Sequence, residues 1–430
     1  MSKTNTANSP DKIVHDLLGF IEQSPTPFHA TQNLVSLFSD AGYTELDEKN
    51  TWDCKISGKY FVTRNGSSFI AFNLQDTAHG LRLIGAHTDS PCLKIKPNPE
   101  ISTLGYYQLG VEVYGGVLLH PWMDRDLSIA GRVTGNNADG DLVSQLIDFK
   151  EPLAIIPNLA IHLDRGANKD KTINPQTHLP LIIGQSEAKD FKQHLLSQCD
   201  EKIERILDFE LSCYDTQAPS ILGLEKEFIA SARLDNLLST YVGARALLDS
   251  KITEKEQTAM FISTDHEEVG SATACGAQGP FLRSVLERLT KDNQSLSQAI
   301  AKSTLISCDN AHGVHPNYSD KHDKNHGPIL NAGPVIKINA NQRYATNSIS
   351  SARFQRLCEK AGIPVQHFVT RSDMGCGSTI GPITASELGI ETIDIGAPQW
   401  AMHSIRETAG CKDIGYLYQA LTTYLSEARS

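Results

Sequence analysis

Five stretches of this 430-residue chain set ionisable side chains directly after an apolar run. In open α/β sheets, sites form outside the carboxyl ends of strands, so this placement carries more information than the residue types alone. The first stretch runs from Leu81 to His87 and Asp89. His87 is a candidate metal ligand, and Asp89 lies two residues on, on the same side of an extended backbone, where it can accept the other imidazole N–H. The second ends in Asp235, just before an apolar helical pattern. It reads either as a helix N-cap or as a carboxylate shared by two metal ions. The third is Asp265-His266-Glu267-Glu268-Val269-Gly270. A zincin motif needs a second histidine where Gly270 stands, so that reading is rejected. Adjacent carboxylates point in different directions, so one can ligate a metal while the other takes a proton from activated water. The fourth is Cys308-Asp309, with His312 and His315 following, and the fifth places His403 in the loop after the last apolar strand. Together they supply two histidines, three acidic ligands and a spare carboxylate, a set suited to paired divalent ions with an open water position.

The elements that must position these residues are legible from periodicity. Ile13, Val14, Leu17, Leu18 and Ile21 form one helical face, with Ser9 as N-cap and Pro10 at the first helical position. Pro25 and Pro27 end it, and a second helix runs from Ala30 to Ala41, stopped by Gly42. Strands are expected at 60–63, 68–74, 81–86, 258–263, 304–308, 335–338 and 392–395, and helices at 237–248 and 351–360, an α/β alternation. Between them lies a Gly-punctuated, strand-rich region with strands at 106–117 and 127–133 and a polar interruption at 165–177. The chain is therefore read as a discontinuous catalytic domain, 1–95 and 224–430, interrupted by an inserted strand-rich domain, 96–223. The run Gly375-Cys-Gly377-Ser-Thr-Ile-Gly381 lacks the phosphate-loop lysine and spacing, and reads as close backbone packing near the site. No G-x-S-x-G elbow is present, which argues against a serine hydrolase.

Composition sets the outer limits. With 39 Lys+Arg against 50 Asp+Glu the net charge is −11, which argues against a nucleic-acid surface. Apolar runs such as Leu153–Ile156 are far shorter than a membrane span needs. Residues 1–12 are polar and lack the apolar stretch of a secretory signal, so the expected location is cytoplasmic. The nine cysteines are scattered without C-x-x-C pairing and read as small buried hydrophobes in a reducing compartment.

The segments AHTDSP, SARLDN, DHEEVGS, HPNYSDKH, GPVIKIN, NQRYATN, CGSTIGP and AMHSIRE resemble the signature blocks of the M18 metallo-aminopeptidases, the aspartyl aminopeptidase family. The likeness runs from Ser24 to Arg406. It implies a zinc-peptidase-like α/β sandwich with an inserted dimerisation domain. It also implies two divalent metal ions per subunit, Zn²⁺ by preference with Co²⁺ or Mn²⁺ admissible at one site. By resemblance, His87 and Asp309 hold one ion, Glu268 and His403 the other, and Asp235 bridges them. Glu267 is the general base, Asp89 orients His87, and His162 is offered to a neighbouring subunit's active site. His312, Lys337 and Tyr344 match positions lining the substrate pocket, with Lys337 the attractive partner for an acidic side chain. The implied activity is release of N-terminal residues, acidic ones by preference, from peptide substrates. The implied assembly is a homo-oligomer of dimers in a tetrahedral dodecamer. A dinuclear-metal dipeptidase or deacylase would use the same ligands, and an inactive shell-forming protein is the reading from a different class.

Overall fold

The structure, a computed structural model, describes residues 10–185, 190–200, 203–251 and 257–427. The expected Ser9 cap and most of the polar N-terminal stretch lie outside the described residues. By its contacts the chain divides into two compact units. One comprises the described parts of Met1–Asp89, Pro219–Met402 and Glu407–Ser430, and the other Ser90–Ala218 with His403–Arg406.

The first unit is built on a nine-stranded sheet among the described residues. Its order is Thr44–Glu45, Lys59–Arg64, Ser68–Asn73, Thr258–Thr264, Leu81–His87, Thr304–Cys308, Glu391–Gly396, Val335–Ile338, Gln366–Val369. The four central strands, from Thr258–Thr264 to Glu391–Gly396, run parallel. Buried on both faces, they read as nearly continuous apolar runs, as parallel strands do. Thr264 pairs with His87 and Cys308 with Ile395, so the residues that follow these strands emerge at one edge of the sheet.

Helix Pro10–Glu22 buries the expected Ile13, Val14, Leu17, Leu18 and Ile21. The next helix, Pro27–Asp40, starts earlier than the sequence suggests. Pro27 does not merely stop its predecessor: it occupies the first turn, capped by the Thr26 side chain on the His29 N–H. Proline is tolerated there because that N–H would have no helical partner. Helix Leu234–Asp249 is buried along nearly its whole length, between the strands and the C-terminal helix Cys411–Ser426. Phe38, Phe61, Phe69, Phe72 and Phe261 are fully buried in this unit, each contributing roughly 1.5–3 kcal/mol relative to exposure.

A second sheet in this unit joins Ser220–Leu222, Phe228–Ser231, Glu407–Gly410, Pro398–Trp400 and Ala311–His312. Sequence reading missed it, because strands of two to four residues show no measurable alternation. The second unit carries a six-stranded antiparallel sheet, Leu142–Asp148, Leu127–Asn136, Arg205–Asp215, Cys92–Thr103, Tyr106–Tyr114, Leu181–Gly184. Leu93, Leu109, Ile129, Val133 and Leu211 form part of its core. All nine cysteines are free thiols. Among the described residues no helix is long and apolar enough to cross a membrane.

Candidate metal centre

His87 ends its strand and is buried. Its Nδ1 lies 3.1 Å from the Asp89 carbonyl and 3.3 Å from Asp89 Oδ1. Both partners are acceptors, so Nδ1 carries the proton and Nε2 presents its lone pair. That lone pair faces Asp235 Oδ1 at 3.5 Å and Asp309 Oδ1 at 3.6 Å. Three acceptors thus converge, and a cation must sit among them. A proton serves: burial works against a charged imidazole, but Asp235, Asp309 and Asp89 raise its pKa well above the ordinary value. A divalent ion suits the same donor set better, since one imidazole and two carboxylates are hard or borderline ligands. One donor atom from each of His87, Asp235 and Asp309 lies within 4.8 Å of the others, and the same holds for His87, Glu267 and Glu268.

Asp89 does more than orient the histidine. Its two oxygens accept the backbone N–H groups of Glu267 and Glu268, each at 3.1 Å. One buried carboxylate therefore fixes both the ring and the acidic turn, which is a short 3₁₀ turn and not the helix a zincin requires. Burial pushes the Glu267 carboxyl up to about 8, opposed by His87 and reinforced by Asp309, Asp89 and Asp235. Burial, then Asp235, raises Glu268 well above its usual range. Carboxylates are gathered here at an electrostatic cost that bound cations would offset.

Asp235 is buried and is not the helix cap. Arg233, in the left-handed region, holds that position, and Asp235 lies inside the first turn with non-helical backbone angles. Its N–H donates to Glu407 Oε2 at 2.9 Å. Glu407, Gln399 and Asn310 form a buried chain behind the cluster: Asn310 Nδ2 donates to Gln399 Oε1 and to the Leu234 carbonyl, each at 2.8 Å. Sequence reasoning missed these three. The available signal was the glutamate that ends the AMHSIRE block, Glu407. Asp309 follows its strand as expected, and its N–H donates to the Ile395 carbonyl at 2.9 Å. Gly396 is required beside it, because a Cβ there would collide with the Asp309 carbonyl.

Lys337 lies against Asp309. It is buried, and its Nζ donates to Asp309 Oδ2 at 3.2 Å and to the Asn310 carbonyl at 2.9 Å, 5.3 Å from the Tyr344 ring centroid. Its pull, with that of His87, overcomes burial and holds the Asp309 carboxyl well below the carboxylate range. Two of its three donors are committed, so its first duty is to a candidate ligand. Tyr344 is buried, and His312 is exposed against Phe368, ring centroids 5.5 Å apart. Both line a cavity of about 250 Å³ shared with His315, Lys321, His322 and Arg371. Gly375 and Gly377 meet nothing within 4 Å, so the close packing expected of the glycine run is confined to Gly381, whose Cβ would strike Asp394.

His162 and His403 belong to the second unit. His403 Nδ1 lies 3.0 Å from the Gly116 carbonyl and must donate to it, which makes Nε2 the lone-pair nitrogen. His162 is exposed in a turn flanked by the exposed Leu159, Ile161 and Leu163.

Comparison with known proteins bears on the whole chain. The family described as "Aminopeptidase I zinc metalloprotease (M18)" matches residues 20–425. A probable M18 family aminopeptidase 2 of Ectopseudomonas mendocina is 57% identical over 426 residues, covering 97% of this chain and 98% of the relative. A chain in the cryo-EM structure of the Ape4 and Nbr1 complex superposes with a TM-score of 0.93 at 38% identity, covering 97% of this chain and 86% of that one. A structure of the S. cerevisiae mApe1 dodecamer gives 0.84 at 30% identity, with 96% of each chain covered. With sequence likeness and backbone superposition both extending over nearly its whole length, this chain belongs to the M18 family of zinc metallo-aminopeptidases.

Proposed function

We propose that this protein is a dinuclear-metal aminopeptidase that releases N-terminal residues, acidic ones by preference, from peptides. The observation that carries the reading is the convergence of His87 Nε2, Asp235 and Asp309 as acceptors around one point, with Glu267 and Glu268 beside them. His87 and Asp309 would hold one ion, Glu268 and His403 the other, and Asp235 would be shared. Zn²⁺ suits the N/O donor set, with Co²⁺ or Mn²⁺ admissible at one site. When bound, such ions supply acidified water and polarisation of the scissile carbonyl. Glu267 takes the proton of the attacking water and delivers it to the leaving amine. Asp89 keeps the acidic turn and His87 in register throughout, and Lys337 keeps Asp309 ionised.

The preference for acidic residues is supported by the cavity beside Tyr344, whose lining offers three histidines, Lys321 and Arg371 against one carboxylate, Asp323. The third Lys337 donor remains for a substrate carboxylate. Assembly into dimers and a tetrahedral dodecamer is supported by the dodecameric mApe1 relative and by Leu104, Leu142 and Leu163, exposed on the second unit. In such an assembly that unit serves dimerisation, and His162 stabilises the reacting carbonyl oxygen in a neighbour's site. A cytoplasmic location accords with nine free thiols.

The test is metal content by mass spectrometry, run with hydrolysis of Asp-, Glu- and Leu-terminal amides and of a dipeptide. Two equivalents of metal per chain and fastest release of Asp or Glu are expected. Cleavage confined to dipeptides, or no hydrolysis by the fully loaded protein, would overturn the reading.

A further inference from the structure

A cavity of about 390 Å³ opens in the first unit, lined by Arg82, Thr304 and Glu391, residues at or next to the starts of three central parallel strands. His87 and Asp309 lie at the other ends of two of these strands. From Arg82 to His87 is five residues of extended chain, ~17 Å at the usual rise. Helix Ser348–Ala361 contributes Arg353 and Arg356 to the lining, and the last helix with the residue after it contributes Tyr424 and Glu427.

The charges here do not balance. Each carboxylate of the lining already has a cation: Glu391 pairs with Arg353 at 2.6 Å and Glu427 with Lys360 at 3.1 Å. Three further cations, Arg82, Lys302 and Arg356, have no carboxylate partner among the described residues. Arg82 is held by neutral acceptors only. Nη1 donates to the Tyr424 carbonyl at 2.6 Å and Nε to Gln257 Oε1 at 3.1 Å, leaving Nη2 without an acceptor among the described residues. Lys302 donates to the Ala78 carbonyl at 2.7 Å. These guanidinium groups line a concave space in a chain of net charge −11. Their planar forks match phosphate oxygens, and the volume falls within the range of small-molecule sites.

We propose that this cavity is an anion site for a phosphate-bearing small molecule, held chiefly by Arg82, Arg356 and Lys302 and separate from the metal centre. Its occupant does not compete with peptide, because the strands stand between the two.

The experiment uses the metal-loaded protein at low ionic strength, with inorganic phosphate and a nucleoside monophosphate titrated separately by calorimetry and thermal shift. The proposal expects saturable binding of one equivalent per chain. Arg82→Gln/Arg356→Gln should weaken it about tenfold or more, with metal content and phosphate-free kcat/KM unchanged. Tighter binding of the nucleotide identifies a phosphorylated metabolite, and equal affinity identifies free phosphate. Because Arg82 is half-buried, Arg356→Gln alone, on the exposed helix face, provides a variant that folds. Unchanged affinity in both variants would place phosphate on the metal ions and overturn the proposal. No saturable binding to the parent protein would overturn it as well.

Discussion

The backbone N–H of Asp235 donates to Glu407 Oε2 across 172 residues of sequence. The carboxylate proposed to bridge two ions is thus held from behind by a second carboxylate. Gln399 and Asn310 extend that support to the neighbourhood of Asp309. Glu407→Ala would leave a buried N–H unpaired at a cost of about 1–3 kcal/mol. Loss of such support typically weakens metal binding about 10–100-fold. Chelator competition measures it, and unchanged affinity would reduce Glu407 to a packing residue.

Glu267→Gln should retain both metals while kcat falls by roughly 10²–10⁴. The substitution leaves the main chain untouched, so the backbone N–H at this position still reaches Asp89 and the turn is preserved. Near-parental turnover with full metal content would remove Glu267 from the role of base.

Metal removal should make stability fall with rising pH. Without bound divalent ions, Glu267 titrates at about 8, against 4.5 for an ordinary glutamate, and Glu268 and His87 are also raised. The folded metal-free protein therefore binds more protons than the unfolded chain across this window. Its stability is greatest below 4.5 as far as these groups decide, and is lost as pH rises towards 8. Asp309, shifted downward, opposes this only below its ordinary value of 3.8. Reloading near pH 7 should release protons, visible as a dependence of the calorimetric heat on buffer ionisation enthalpy. A metal-free Tm that climbs from about pH 5 to 8 would contradict the assignment.

Lys337→Met removes the cation from a buried pair, and about 3–5 kcal/mol of stability should go with it. A common loss of activity follows from releasing Asp309. Beyond that, kcat/KM for Asp- and Glu-terminal substrates should drop further than for Leu-terminal ones. A parallel decline for all three would confine Lys337 to holding Asp309.

His162→Ala should leave Tm unaltered, since the side chain is exposed, yet lower kcat by about 10²-fold or more in the assembled enzyme. Adding an excess of an inactive Glu267→Gln partner that still carries His162 should restore part of the rate once subunits exchange. Full activity of the single variant would refute a role across subunits.

What was legible in the sequence was local. An apolar run followed by His87 or by Asp309 specifies a strand and what stands at its end, because alternation and burial act over a few neighbouring residues. The same short range explains the correct helical face of Ile13, Val14, Leu17, Leu18 and Ile21. It also explains the misplaced start at Pro27, where proline ends one helix and opens the next. The short strands Ala311–His312 and Pro398–Trp400 carried no period to detect. Glycine spacing at 375–381 indicated close packing that only Gly381 meets.

The sequence by itself therefore determined the order of the strands, the residue types at their ends and the family those blocks belong to. Only the tertiary structure decided which ends share an edge, that Asp89 serves the ring and the acidic turn together, and that Lys337 is committed to Asp309. It alone revealed Glu407 behind Asp235 and three arginine and lysine side chains without carboxylate partners, among the described residues, around one cavity. The physical reason is that hydrogen bonds and ion pairs are set by distance in space. Sheet order brings together residues whose separation along the chain holds no trace of their contact.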